Sequence, residues 1–249
     1  MAISILATDQ RREWTAARDV QQRFMQASTP AGSALEYSAQ CRQLGDLGGD
    51  CYDFFPLAGP GLALALGDAS GKGVAAALMI ANVQSSLRTA VQFTGCDVPA
   101  ALRAVNRHVH ATFLAHCYAT LFYGVFDRTT RSLHYVNAGH NPPIVMRRNG
   151  TIEWLEAGGA PVGMFPDWQY EEGIVQLEPG DLVLAYTDGV IEAENPSGDM
   201  WGIENLEKTA ARVRDRAAAE IVQAIFDSTD EFILGSRTDD ATVAVCRAR

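Results

Sequence analysis

Six aspartates stand where apolar, strand-like runs begin or end. Asp50 and Asp53 lie in GGDCYD, Asp68 in LALALGDAS, Asp188 in LVLAYTDG, and Asp239 with Asp240 in SRTDDATVAV. Taken singly, an aspartate before a glycine after a strand is an ordinary turn residue. Taken together they put unpaired carboxylates at several strand ends, with only Lys72 and Arg237 as positive charge in the same motifs. Carboxylates gathered within a few ångströms repel, and some are forced to stay protonated unless a cation intervenes. Carboxylate and carbonyl oxygens are the ligands that Mg²⁺ and Mn²⁺ favour. No His/Cys cluster offers zinc its ligands, and His108 and His110, two apart on a predicted helix, point to different sides. A pair of ions bridged by one carboxylate would serve hydrolysis of a phosphate ester by an activated water.

The glycines of GDASGKGVAAA suggest a nucleotide phosphate loop instead, but the spacing excludes it. That loop needs Gly-Lys followed by Ser or Thr; here Gly71-Lys72 is followed by Gly73, and Leu66 stands where the first glycine belongs. The dinucleotide fingerprint fails too, because the chain lacks alternating βαβ units.

The elements that must position the aspartates can be read from periodicity and turn residues. Residues 9–27 read as a helix with Asp9 as N-cap and Trp14, Ala17, Gln21 and Phe24 on one face; Pro30 and Gly32 end it. Strands follow at 34–41, 51–57 and 62–68. Val74–Phe93 then carries two apolar stripes, one of Val74, Ala77, Leu78 and Ala81, the other of Ile80, Val83, Leu87 and Val91, which places it between a sheet and another helix. That neighbour starts at the N-cap Asp97, with Pro99 in its first turn. Further strands flank RTT, Asn149-Gly150 and Pro179-Gly180. A helical turn follows Asp188, residues 214–234 form a helix, and 241–247 form the last strand. Hairpins dominate, so the class is α+β with largely antiparallel sheets.

The chain has 249 residues, 47% apolar and 20% charged, with a formal net charge of −10. That length supports one large domain. The charge argues against nucleic acid and an anionic membrane surface. Five cysteines without CxxC spacing, no secretory segment after Met1 and no apolar run of membrane-spanning length point to the cytoplasm.

In order, GGDCYDFF, GDASGKGVAAA, NAGHNPP, GAPVGMFPD, AYTDGVIEAEN and TDDATVAV resemble the SpoIIE/RsbU-like bacterial serine/threonine phosphatases of the PPM, or protein phosphatase 2C-like, class. The resemblance covers residues 20–247. It implies a four-layer α-β-β-α sandwich of two mainly antiparallel sheets flanked by helices, with two Mn²⁺ or Mg²⁺ at one edge. Carried over by motif, Asp68 bridges both ions and the carbonyl of Ala69 joins one of them. Asp50 and Asp53 serve that same ion, directly or through water. Asp188 and Asp239 hold the other, with Asp240 beside them. A water between the ions then attacks phosphorus in line. Where the eukaryotic branch carries a histidine after the bridging aspartate, this chain has Ser70, which leaves water as the leaving-group acid. Arg42 has the wrong spacing to be that branch's phosphate-holding arginine. His140 in NAGHNPP could touch substrate, but the preferred reading is a strand-to-strand corner shaped by Asn137 and Gly139 and held by Pro142 and Pro143; Thr187 and Gly189 orient Asp188. The resemblance further implies a phosphorylated anti-anti-sigma (STAS) protein as substrate in a partner-switching pathway. Residues 1–30 are expected to be a regulatory or dimerising segment, through helix 9–27, and 31–249 the phosphatase domain. A catalytically silent binding module on the same fold is the alternative.

Overall fold

The computed structural model describes residues 2–25, 34–114, 116–235 and 237–249. Helix α1 (Ala2–Phe24) comes first, then strands β1 (Leu35–Arg42), β2 (Asp50–Pro56) and β3 (Gly61–Ala69). The helix pair α2 (Val74–Thr94) and α3 (Val98–Thr112) follows. Next come β4 (Ala119–Asp127), β5 (Ser132–Ala138), β6 (Ile144–Met146), β7 (Ile152–Trp154), β8 (Gly158–Gly159), β9 (Gly173–Gln176) and β10 (Leu182–Tyr186). Helices α4 (Asp188–Ile191), α5 (Gly202–Val213) and α6 (Ala218–Ile233) lead to β11 (Ala241–Ala248).

One sheet has the order β1-β11-β10-β6-β7; the other runs β2-β3-β4-β5-β8, with β9 also on β5. All pairings are antiparallel except β5 with β8. Alternation along the strands makes three separate cores. Ala63, Ala65 and Cys51 of the second sheet pack on Ile80, Val83 and Leu87 of α2 and on Leu102 and Val105 of α3. Leu62, Leu64, Leu66, Tyr52 and Phe54 face the other way and meet Val183, Ala185, Ala244 and Cys246 of the first sheet. The outer face of that sheet, through Leu184, Val243 and Val245, packs on Leu206 of α5 and on Ile221, Ile225 and Phe226 of α6. The molecule is the four-layer α-β-β-α sandwich.

Four local expectations change. Helix α1 runs back through Asp9 to Ala2, so Asp9 is no N-cap, and it ends at Phe24; Pro30 and Gly32 lie outside the described residues. Pro179-Gly180 does not close a hairpin, because β9 joins β5 while β10 joins β6 and β11. The span 195–213 contains α5, whose narrow apolar stripe of Leu206, Ala210 and Val213 lies among charged residues; α6 begins at Ala218 rather than at 214. Finally, α2 has the length and composition of a membrane-crossing helix, contrary to the sequence expectation. It is a core helix here, buried along Met79, Ile80, Val83, Leu87 and Val91, while Val74 and Leu78 of its other stripe stay exposed, Leu78 beside Ala17 and Val20 of α1. The Asp97 N-cap is as expected: its carboxylate accepts the Ala100 N–H at 2.9 Å.

Candidate active site

Strand parity decides which aspartates meet. On β2, Asp50, Tyr52 and Phe54 point between the sheets, as do Leu62, Leu64, Leu66 and Asp68 on β3. Asp50 lies directly opposite Asp68 in the antiparallel register. On the facing sheet, Val183 and Ala185 of β10 point inward, and the alternation continues to Thr187; Ala244 of β11 points inward, and so does Thr242. The two threonines reach across the sandwich to one carboxylate oxygen. Asp50 Oδ2 accepts the Thr187 hydroxyl at 2.8 Å and the Thr242 hydroxyl at 2.7 Å. Thr187 Oγ1 in turn accepts the Thr242 N–H at 2.9 Å. Thr187 therefore orients Asp50, not Asp188 as its position suggested. Neither threonine was singled out as a partner of Asp50, though both flank the acidic motifs at inward-facing positions.

Asp188 opens α4 and Asp239-Asp240 lead into β11, so the two segments lie side by side at the same end. Gly189 permits that approach: a Cβ there would stand 1.9 Å from the Asp240 carbonyl oxygen. Asp240 binds backbone, its carboxylate accepting the Leu44 N–H and the Gly49 N–H, each at 2.7 Å. Asp239 holds Lys72 Nζ at 2.6 Å, and Lys72 also donates to the Thr238 carbonyl at 3.1 Å. Ala69 donates its N–H to the Gly49 carbonyl at 3.0 Å, and a Cβ on Gly49 would stand 3.3 Å from the Ala69 carbonyl oxygen.

Asp53 does not join the cluster. Its parity is that of Cys51 and Phe55, toward α2, where Arg88 clasps both carboxylate oxygens at 2.6 Å and stacks over the Phe55 ring. The expectation that Asp53 serves the ion with Asp50 is therefore replaced by an ion pair on the opposite face of the sheet. Arg42 is likewise spoken for, paired with Asp230 and lying over the Phe226 ring on the α6 side.

Burial raises the pKa of Asp50 well above the usual carboxylate range, and the charge of Asp68 adds to this. Asp68 is pushed to about 7, by burial first and then by Asp188, Asp239 and Asp240, with Lys72 opposing. Burial and Asp239 raise Asp188. These couplings place five carboxylates within charge reach of one another. Among the described residues, no three His, Cys, Asp or Glu side chains converge closely enough to grip an ion as they stand; hydroxyls, N–H groups and Lys72 hold several of the oxygens instead. The donor set is nonetheless all oxygen, anionic and gathered at one edge, which fits a hard divalent cation.

The neighbouring NAGH segment supports the site from behind. Asn137 accepts the His140 N–H at 2.7 Å and donates to the His140 carbonyl at 2.9 Å, closing a corner at Gly139 (φ 69°). His140 Nδ1 lies 2.9 Å from the hydroxyl of Thr120, the residue opposite Asp68 on β4. Burial pushes its pKa down to about 4, which keeps the ring neutral. The expected shaping role of this corner is what the geometry displays. Ser70 is engaged too, trading two hydrogen bonds with the Tyr118 backbone.

Protein IcfG of Synechocystis sp. is 31% identical over 95% of this chain and 42% of its own length. The phosphoserine phosphatase RsbU of Bacillus subtilis is 28% identical over 94% of this chain and 69% of its own. This chain thus spans under half the length of IcfG and about two-thirds of RsbU. The SiaA-PP2C domain of Pseudomonas aeruginosa superposes with a TM-score of 0.85 at 20% identity, covering 99% of both chains, which establishes the PP2C-type fold. Residues 58–249 match the family described as Stage II sporulation protein E (SpoIIE), and with that match, the IcfG identity and the shared fold, the chain belongs to the SpoIIE family.

Proposed function

We propose that the chain is a metal-dependent protein serine/threonine phosphatase. One observation carries this reading: Asp50 and Asp68 of one sheet are brought against Asp188, Asp239 and Asp240 at the same end of the other. Two Mn²⁺ or Mg²⁺ would be held by Asp68, the Ala69 carbonyl and Asp50 on one side, and by Asp68, Asp188 and Asp239 on the other. Support comes from solved PP2C-type structures described with magnesium (RsbX) and with two manganese ions (the PstP catalytic domain), which share the fold at under 25% identity. When bound, such ions supply an activated water as nucleophile and neutralise charge on the phosphoryl group. The chain's own residues do the rest. Thr187 and Thr242 fix Asp50 in one orientation, and Asp240 fixes the backbone at Leu44 and Gly49. Among the described residues Lys72 is the cation paired with Asp239, and it is exposed enough to turn toward a phosphate. Neutral, buried His140 is no proton donor, and Ser70 is bound to backbone, so the leaving-group proton comes from solvent.

The substrate we propose is a phosphorylated STAS-type protein of a partner-switching pathway. RsbU is described as a phosphoserine phosphatase, and a Mycobacterium tuberculosis protein with this fold joins RsbU and RsbW domains in one chain. Residues 1–30 would regulate or dimerise the domain at 31–249, since α1 leaves Trp14, Val20 and Phe24 exposed. All five cysteines are free thiols, which supports a reducing, cytoplasmic setting.

The test is Mn²⁺-dependent release of phosphate from phospho-STAS proteins. Asp68→Asn and Asp188→Asn are each expected to lower the rate at least 100-fold, and unchanged rates would sink the mechanism. A silent binding module is favoured only by the Lys72–Asp239 pair, which occupies an acidic oxygen with a protein cation. Calorimetry separates the readings, because the module predicts no Mn²⁺ binding at millimolar concentration.

A further inference from the structure

Gln21 is the buried polar residue of an otherwise exposed stretch of α1. Its amide reads the backbone of a single residue in both directions: Nε2 donates to the Gly48 carbonyl at 2.7 Å, and Oε1 accepts the Gly48 N–H at 3.2 Å. Gln43 Nε2 donates to the same Oε1 at 2.8 Å. On its other side Gly48 faces the site. A Cβ at 48 would lie 2.6 Å from Asp240 Oδ2, so the glycine is pressed between the Gln21 amide and the Asp240 carboxylate. The next residue, Gly49, donates to Asp240 and accepts from Ala69, and the one after is Asp50. Arg18, one turn earlier on α1, binds the Gly45 and Asp46 carbonyls of the same loop, but from an exposed position.

We propose that Gln21 is a positioning residue for the carboxylate site, setting through Gly48 the loop 43–49 that delivers Asp50 and anchors both Asp240 and Ala69. A helix that the sandwich does not need for its core thus fixes one wall of the site. The reasons are geometric. No side chain intervenes at Gly48, so a shift of α1 cannot be absorbed there and passes to Asp240. Two hydrogen bonds to one residue, through its N–H and its C=O, fix the two peptide units that flank it in orientation as well as distance, as a hydrogen-bonded pair in an antiparallel ladder does. The part of this inference that concerns catalysis rests on the proposed phosphatase reading; the mechanical part does not.

The experiment uses the whole chain, first without metal. Amide exchange followed by NMR in Gln21→Ala is expected to speed at least 10-fold at Leu44, Gly49 and Ala69, while Ala185 and Val245 in the central strands keep wild-type rates. Wild-type exchange at Leu44, Gly49 and Ala69 overturns the proposal. Should Gln21→Ala fail to fold, Gln21→Glu replaces it, keeping the acceptor for the Gly48 N–H and losing the donor to its carbonyl; the same three amides decide. Mn²⁺ calorimetry on Gln21→Ala, Asp240→Asn and the double variant then reads coupling at the site. A double-variant loss well below the product of the single losses supports the proposal, and multiplying losses contradict it. If the wild-type chain binds no Mn²⁺, the phosphatase reading falls, while the exchange result still decides the mechanical claim.

Discussion

Asp50 and Asp53 are three residues apart on β2, so the strand's alternation sends their carboxylates to opposite faces. Asp53 finds a guanidinium under the helices; Asp50 finds two hydroxyls between the sheets and a second carboxylate opposite. The first arrangement is closed and neutral, whereas the second leaves negative charge unbalanced. Arg88→Ala should therefore cost roughly 2–3 kcal/mol in denaturant melts, less than a fully buried pair because Arg88 is half-exposed, with Mn²⁺ affinity unchanged. Asp68 gives a pH signature. The folded state holds its proton up to about pH 7, whereas an unfolded aspartate releases it near 3.9. The folded chain then binds the extra proton in that window, and stability falls as pH rises through it. Without metal, Asp68→Asn should be more stable than wild type at pH 8, with the gap narrowing as pH falls and closing near pH 4; saturating Mn²⁺ should remove the wild-type penalty. Equal melting curves for the two metal-free proteins at pH 8 would refute the assignment. From the sequence, the acidic residue types and their chemistry were legible. Alternation within GGDCYD separates Asp53 from Asp50 once the strand is taken to begin at Asp50; what that stretch does not announce is Arg88, 35 positions beyond Asp53, which neutralises it.

At the scale of elements, the site depends on turns that only particular residues permit. The corner at Asn137–His140 carries the chain from β5 in one sheet to β6 in the other. Gly139 needs its positive φ, and a Cβ there would come 2.6 Å from Pro161 Cγ. Gly139→Ala should destabilise by more than ~1 kcal/mol, read as a lowered melting temperature. Activity per folded molecule should fall too, because Thr120 and His140 lie behind Asp68. Helices with strong caps or broad apolar faces were legible: α3 announces itself through Asp97, Pro99 and the stripe of Val98, Leu102, Val105 and Val109. Helix α5 was not, because its three apolar anchors lie among charged residues that periodicity alone does not separate from a loop. The partner of β9 was hidden for another reason: Pro179-Gly180 marks a reversal but not which sheet receives the strand before it.

Over the whole molecule, three cores stack and the charged edge lies where the two sheets end together. The layer order came with the family resemblance, and the two stripes of α2 agreed with it; the pairing of distant strands was not legible, since no local signal joins β1 to β11. Those neighbours are joined in register from Leu35↔Ala248 to Arg42↔Ala241, residues some 200 apart in sequence. Closing so long a loop costs entropy before any contact compensates it, which slows folding. Asp239 and Asp240 lie at the entrance to β11, and Thr242 within it, so the centre is assembled only when that strand docks. Stopped-flow refolding should accordingly run at the same rate with and without Mn²⁺, with unfolding alone slowed by the ion. A metal-accelerated refolding limb would mean that the acidic edge forms early. In a cell the same topology sets an order of events: until β11 has left the ribosome and docked, the five carboxylates cannot be gathered at one edge, so a nascent chain carries them as separate, solvated side chains.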